Sequence, residues 1–455
     1  MQSTKLHFAS ALTAEGWQEN VTLTVDAGGL IRAVESGAAE GAERISGIAV
    51  PAMPNVHSHA HQRFMQGLAE RAGPAADSFW TWREVMYGFA LRLSPEDLEA
   101  VAAQLYVEML KAGFSIVGEF QYLHHQADGS PYDNPAEMSL RCLAAAEQAG
   151  IGITVLPTLY AFSGFGGQPP VPGQRRFIND TDRFLRIVDQ LSIQARKNSI
   201  RRVGISPHSL RAVTPQVLGE VIAAIPADAP IHIHVAEQVK EVQDCLAFSG
   251  LRPVEMLMQA FDLSPRWTAI HATHMTAWET EGLARSGAIA GLCPTTEANL
   301  GDGIFPAVEY MGQSGAIAIG SDSHISVSPA EDLRVLEYSQ RLRDLTRNAL
   351  AGGPNTSTGR TIFDAALKGG ATSICQPVGA IAVGKRCDIT VLDGEHPLLM
   401  GREADAVLDT WIFSGGNMLV KDVFVAGRHL VKDRAHIAEV SIARGFRAAL
   451  TRLSA

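Results

Sequence analysis

The chain has 455 residues, 46% of them apolar and 19% charged, and 38 Lys and Arg set against 48 Asp and Glu leave a net charge of −10 at pH 7. That apolar content excludes a disordered chain, and the acidic balance argues against nucleic acid as a partner, because its binders carry a basic excess where they meet phosphate. The length accommodates an α/β barrel of about 250 residues and a smaller unit beside it.

The first fifty residues read as short strands. Val21 to Val25 alternates, Asp26-Ala27-Gly28-Gly29 turns, and Leu30 to Val34 returns as a β-hairpin. Met1 to Ser10 has no apolar stretch of secretory length, and the five cysteines (Cys142, Cys245, Cys293, Cys375 and Cys387) are scattered without a CxxC pair, which fits a reducing cytoplasm. Ser94-Pro95-Glu96-Asp97 predicts an N-cap with Pro at the first helical position, and Leu98, Val101, Ala102, Leu105 and Met109 continue at helical spacing to Gly113. The longest uncharged region, Ala149 to Gln174, is broken by Pro157, the Gly164 to Gly167 cluster and Pro169, Pro170 and Pro172, so no membrane span is expected. Its Gly164 to Gly173 part reads as a long loop.

Short apolar runs follow at Ile151 to Leu156, Val203 to Ile205, Ile231 to Val235, Ala269-Ile270, Ala288 to Leu292 and Ala316 to Ile319, the pattern of buried parallel strands. Nearly all end in polar or reactive side chains: Pro207-His208, His234 to Glu237, His271, Cys293-Pro294-Thr295 and Ser321-Asp322. A parallel barrel gathers its active site at such C-terminal strand ends. Asp388 to Asp393, Val420 to Val425 and His429 to Val431 then return to the strand character of the beginning. The expected architecture is a (β/α)₈ TIM barrel over 51–379, a small β-sandwich built from 1–50 and 380–440, and a helical tail at 441–455.

Val56-His57-Ser58-His59 is the sharpest local signal, because residues i and i+2 of a strand share a face and both imidazoles can reach one ion. His61 extends it to HxHxH, so spacing leaves open which pair binds. Ile231-His232-Ile233-His234 puts two more histidines on one strand face, with Glu237 three residues past the second. His271, with His274 as its neighbour, ends another run, and Asp322 follows a further one. Three His and one Asp make a mixed N and O donor set for one divalent ion, Zn²⁺ first, with Fe²⁺ or Mn²⁺ compatible with the same ligands.

This order of motifs resembles the amidohydrolase superfamily, and the resemblance covers the barrel and both flanking β segments. Val383 to Asp388 is similar to its G-K-x-A-D stretch, with Cys387 where Ala is usual. The resemblance implies His57, His59, His234 and Asp322 as metal ligands, Glu237 as the HxxE acid/base, and His271 and Asp322 as further catalytic groups. No lysine ends the fourth strand, where Ser206-Pro207-His208 stands, so a mononuclear deaminase-type member is implied. Its reaction is hydrolytic deamination by water whose pKa the metal brings to about 7.

Further stretches resemble a branch of that superfamily acting on open-chain formimino dicarboxylates: His59 to Arg63, Ser78 to Arg83, Gly118 to His125, Ser163 to Gly167 with Gln174 to Phe177, and Ser206 to Arg211. A small dicarboxylate amidine needs cationic forks and few flat aromatic walls. Arg83 and Arg211 are the expected forks, with Gln62, Tyr122 and His208 as further substrate contacts. Trp80 and Trp82 fit either packing or ligand stacking, and alternating tryptophans are more often packing. The partner is then a small molecule rather than nucleic acid or membrane, and barrel enzymes commonly form dimers, so a homodimer is expected. The rival readings are a purine, S-adenosylhomocysteine or triazine-type aminohydrolase, and a barrel that serves as a scaffold without catalysis.

Overall fold

The computed structural model describes residues 3–71 and 79–454; Met1, Ser78 and Ala455 lie outside the described residues. The chain opens with four strands, β1 (Thr4–Thr13), β2 (Gly16–Val25), β3 (Ile31–Ser36) and β4 (Glu43–Pro51). β1, β2 and β3 pair antiparallel in succession, and β4 lies parallel to β1.

Pro51-Ala52 then leads into the barrel, whose strands are β5 (Met53–Ser58), β6 (Phe114–Gln121), β7 (Gly152–Leu159), β8 (Arg201–Val203) continued by β9 (Ser206–Pro207), β10 (Ile231–Val235), β11 (Trp267–His271), β12 (Ile289–Leu292) and β13 (Ala316–Ile319). Neighbours pair in parallel from β5 to β9 and from β10 to β13. Single bridges from Ile205 to Ile231 and from Ser58 to Asp322 join the two arcs into a ring. With β8 and β9 sharing one position the ring has eight, as in a TIM barrel. The second bridge sets the HxH motif beside the aspartate that ends the last strand.

The helix predicted from Ser94 is present as α2 (Pro95–Ala112), behind α1 (Phe79–Ala90). Ser94 Oγ accepts from the N–H of Asp97, whose side chain answers to the N–H of Ser94, and Gly113 ends the helix at φ 101°, a conformation that glycine adopts without strain. β6 is a strand that the apolar pattern does not reveal. Ser115, Glu119 and Gln121 interrupt the hydrophobic run, yet all three side chains are buried, because they lie on the face opposite Ile116 and Phe120, under the helices, where Glu119 accepts from Tyr106 of α2 and Gln121 Nε2 lies 3.6 Å from Cys142 Sγ.

The N-terminal mouth of the barrel is plugged by the end of helix Thr358–Ile374. Thr154 Oγ1 donates to the Ile374 carbonyl at 2.8 Å, and Val56, Ile116, Ile289 and Ala318 pack on Ile374 and Val378. With the bottom sealed, chemistry has only the C-terminal mouth.

Beyond the barrel, β14 (Ile389–Leu392), β15 (Val420–Val425), β16 (Arg428–Lys432) and β17 (Ala435–His436) extend the first sheet to eight strands in the order β17-β16-β15-β14-β4-β1-β2-β3. The sheet curls on itself, so that Phe8 of β1 and Phe424 of β15, with two strands between them, meet edge-on at 6.4 Å. Leu6, Leu23, Ile389 and Cys387 share that core, and full burial explains why a small, weakly polar residue occupies position 387. Arg386 and Asp388 form a buried bidentate pair beneath it, at 2.8 and 2.6 Å. The helix Glu439–Ser454 returns to α2 through Lys111 to Glu439 and Arg452 to Asp97, both at 2.5 Å.

Candidate active site

The residues that the resemblance implies as ligands and catalytic groups, His57, His59, His234, Glu237, His271 and Asp322, stand at the C-terminal mouth. His57 is near the end of β5, and His59 and the turn Ala60–Met65 that carries Gln62 follow it. His234 is the fourth residue of β10, His271 the last of β11, and Asp322 comes three residues after β13. The junction is held by the Asp322 N–H donating to the His57 carbonyl at 3.0 Å and the His59 N–H to the Asp322 carbonyl at 3.2 Å.

The side chains converge. His57 Nε2 lies 3.0 Å from His234 Nε2 and 3.3 Å from Asp322 Oδ1, and His59 Nε2 lies 3.4 Å from the same oxygen. Four donors on one tetrahedral ion at about 2.0–2.1 Å stand roughly 3.3 Å apart, so these spacings fit a shared cation. The outer edges agree. His59 Nδ1–H donates to the Phe120 carbonyl and His234 Nδ1–H to the His208 carbonyl, each at 2.9 Å, which turns the Nε2 lone pairs toward the centre. Burial, reinforced for His57 and His234 by neighbouring imidazoles, holds all three histidines below their ordinary pKa, in the neutral form that ligates.

The open alternatives separate here. His232 lies deeper on the same strand, with Nε2 3.1 Å from the Ser373 carbonyl in the barrel plug, and His274 turns away to the Asp302 carbonyl at 2.7 Å. His61 is buried against Tyr122 with neither ring nitrogen partnered among the described residues. His271 faces inward, its Nε2 3.8 Å from both Glu237 Oε1 and Asp322 Oδ2. Its Nδ1 lies 3.2 Å from Glu297 Oε1, which also accepts the Cys293 N–H at 2.8 Å. Burial raises Glu237 to about 7, whereas for His271 burial is outweighed by Glu237, Glu297 and Asp322 and the imidazole is raised. A carboxyl and an imidazole that compete for a proton so close together are equipped for proton transfer.

Above the cluster opens a cavity with about 560 Å³ of empty space, counting its open mouth, and Gln62, Arg83, Tyr122, His208 and Arg211 all line it together with His59, His234, Glu237, His271 and Asp322. Gln62 donates to the Tyr122 hydroxyl at 3.0 Å. Arg83 Nε and Arg211 Nε are buried with no hydrogen-bond partner among the described residues; the second faces Glu241 Oε1 at 4.0 Å, so on Arg211 it is the Nη atoms that remain for an anionic ligand.

One expectation is corrected. Six rings, Phe79, Trp82, Tyr87, Tyr122, Tyr160 and Phe177, line the cavity, which is far from short of aromatic walls. One of these rings and a tryptophan behind them back a cation: the Arg83 guanidinium lies 5.4 Å from the Tyr87 centroid and 4.7 Å from that of Trp80, while Trp82 faces the cavity. Tyr87, Tyr160 and Glu297 were not anticipated. Each belongs to a pattern that reads as ordinary helix, strand or loop, and only tertiary packing brings it to the mouth.

A closed parallel barrel with these donors at its mouth defines a metal-dependent hydrolase, and residues 48–430 match the profile of the amidohydrolase family. The chain belongs to that family. Residues 3–46 match a second profile, described as formimidoylglutamate deiminase HutF, N-terminal domain. Over 439 residues, 96% of each chain, it is 53% identical to the formimidoylglutamate deiminase of Pseudomonas aeruginosa. A crystal structure of an amidohydrolase from Brucella melitensis, 50% identical, superposes with a TM-score of 0.94 over 99% of this chain and 100% of the other. The 5-methylthioadenosine/S-adenosylhomocysteine deaminase of Nitratidesulfovibrio vulgaris is 28% identical over 85% of this chain and 80% of its own.

Proposed function

We propose that this chain hydrolyses N-formimino-L-glutamate to N-formyl-L-glutamate and ammonia, a step of histidine degradation. The observation that carries the reading is that two arginines with unpartnered buried nitrogens share one cavity with the His and Asp cluster. A dicarboxylate amidine presents two anions at one end and a hydrolysable carbon at the other, and this cavity offers a complement to each. The 53% identity to a formimidoylglutamate deiminase supports the same substrate.

In this reading His57, His59, His234 and Asp322 hold one divalent ion, Zn²⁺ by the chemistry of the donor set, with Fe²⁺ as the alternative. When bound, the ion supplies Lewis acidity and brings the pKa of water toward 7. Arg83 and Arg211 grip the carboxylates, and Gln62, Tyr122 and His208 orient the amidine between them. Asp322 and His271 accept the proton that water loses as it adds to the formimino carbon. Glu237 delivers a proton to the imino nitrogen, and the proton held by Asp322 or His271 follows it there; the bond from carbon to that nitrogen then breaks and ammonia leaves, while the remaining hydroxyl proton returns to Glu237 as the formyl carbonyl forms and the amide nitrogen stays with the product. The proposal includes a cytoplasmic setting, in keeping with five free cysteines, and a homodimer, which light scattering tests.

The aromatic lining and the 28% identical relative favour a purine-type substrate as the second reading. Ammonia release from formiminoglutamate, guanine, adenosine and S-adenosylhomocysteine, assayed side by side on metal-loaded protein, separates the two. Turnover confined to the first is expected. Turnover of any other with none of the first overturns the assignment.

A further inference from the structure

Helix Val239–Ser249 begins directly after the segment that carries Glu237, and Glu241 in its first turn is fully buried. Its Oε2 accepts the backbone N–H of Glu237 at 3.1 Å. An acidic residue in a first helical turn commonly makes such a contact, so this oxygen alone has an ordinary explanation. The other oxygen does not. Glu241 Oε1 has no hydrogen-bond partner among the described residues and faces Arg211 Nε at 4.0 Å, which is equally buried and equally without one.

A buried carboxylate oxygen and a buried guanidinium nitrogen are each costly to leave alone, and they tolerate burial here because their charges face each other. Burial opposes the charge on Arg211, yet Glu241, ahead of Tyr160 and Glu237, holds its pKa above the ordinary value. Contact along the Nε edge leaves the Nη atoms for a bidentate carboxylate, whereas a close fork-to-fork pair with Glu241 would consume them. One side chain therefore touches the backbone of Glu237 and faces the guanidinium of Arg211.

We propose that Glu241 is a positioning residue that holds Arg211 in place for a substrate carboxylate and ties that grip to the segment bearing Glu237. The inference rests on the function proposed above. It makes the distance between anion grip and proton-transfer group a built-in dimension of the site, and so a determinant of which dicarboxylate chain length fits.

The test is a double-mutant cycle of Glu241→Gln and Arg211→Met, read by steady-state kinetics with formiminoglutamate and by calorimetric binding of glutarate, a dicarboxylate without an amidine. The Glu241→Gln side chain keeps an acceptor for the Glu237 N–H and loses the charge. This substitution is expected to raise KM and the glutarate Kd about tenfold while kcat stays within about threefold, and to have no further effect in the Arg211→Met background. Equal effects in both backgrounds, or a loss of kcat at unchanged KM, overturn the proposal. Glu241→Asp, which keeps the charge, guards against a mere folding defect: partial recovery of affinity at wild-type metal content is expected, and affinity no better than that of Glu241→Gln refutes it. If the wild type releases no ammonia from formiminoglutamate, the functional reading fails, and the glutarate cycle still decides the role of Glu241.

Discussion

Replacing Glu119 by glutamine isolates a buried charge next to the HxH turn. Glu119 is fully buried in β6; its Oε1 accepts the Ala60 N–H at 2.8 Å, and its Oε2 accepts the hydroxyls of Ser58 at 2.6 Å and Tyr106 at 3.1 Å. Ser58 and Ala60 bracket His59, so this carboxylate buttresses the turn that presents two of the imidazoles. Burial, only partly offset by those three bonds, pushes its pKa from 4.5 to about 7. The unfolded chain thus releases this proton near pH 4.5 while the folded chain holds it to about pH 7, and the unfolded state binds fewer protons in between. Stability is fully present below pH 4.5 and falls as pH rises through 7, by about 3 kcal/mol at 1.36 kcal/mol per pH unit. The amide of Glu119→Gln does not titrate, its oxygen can still accept from Ala60, and its nitrogen can donate to the two hydroxyls, so packing is preserved. Urea unfolding of the metal-free proteins at intervals from about pH 5 to 8 reads the effect, and subtracting one protein from the other cancels every pH dependence they share. The advantage of Glu119→Gln over wild type should grow by about 2.5 kcal/mol across that range, the remainder of the effect lying below pH 5. Parallel curves would refute the account of Glu119 as a buried group that is neutral below pH 7.

The ligand assignment predicts that His57→Ala and Asp322→Ala lose bound metal on dialysis, measured by atomic emission; a full equivalent of metal in either would show that its side chain is not needed to hold the ion. Glu237→Gln should retain the metal and lose about 10²–10⁴ in kcat, the usual contribution of a general acid or base, and metal loss equal to that of His57→Ala would assign it a different role. Arg83→Met and Arg211→Met should mainly raise KM, about tenfold or more, since each removes a charge-assisted contact worth roughly 1.5–3 kcal/mol; unchanged kinetics would place both outside the substrate contacts. Gly320→Ala sets a methyl group 2.7 Å from both the Cβ and the backbone nitrogen of His57, neither of which can swing aside. Overpacking costs of about 1–3 kcal/mol are expected, with lowered Tm and lowered metal content together, and a normal Tm with full metal would mean that the barrel seam yields more easily than its contacts imply.

The parts of the site that could be read from the sequence are those carried by strand period. His57 with His59 is legible because residues two apart share a face, and His234 with Glu237 because the HxxE spacing stands at a strand end, where this class gathers its reactive groups. The same period could not separate His232 from His234, since both face inward; what separates them is depth, with Ser373 in the barrel plug reaching only the lower one. Glu119, Glu241 and Glu297 were invisible for a different reason. A glutamate in a strand or a first helical turn is ordinary, and its significance lies in partners such as Ser58, Arg211 and His271 that are remote in the chain. The wall of rings was misjudged because substrate chemistry alone set the expectation. It neglected the aromatic surface needed to back the two cationic forks and exclude water from them.

A second kind of information is written in the backbone and is opaque to propensity. Ala236, His271, Ala272, Asp322 and His324 all have positive φ, at 52°, 66°, 46°, 48° and 63°. Alanine is a poor residue for that region, and aspartate and histidine, which enter it more readily, still do so at a cost of about 1 kcal/mol, so propensity would have placed glycine there. Glycine could not serve at His271 or Asp322, whose side chains are the ones aimed at the centre. These positions fall where β10, β11 and β13 leave the ring, and they turn the chain sharply enough to hold an imidazole or a carboxylate over the mouth instead of letting it follow the strand upward into solvent. The closed ladders beneath supply the rigidity that keeps these turns in place. A local reading of residues around 236, 271 and 322 therefore predicts relaxed turns and loses the aim of the very groups it identifies, because that aim is imposed by the barrel as a whole.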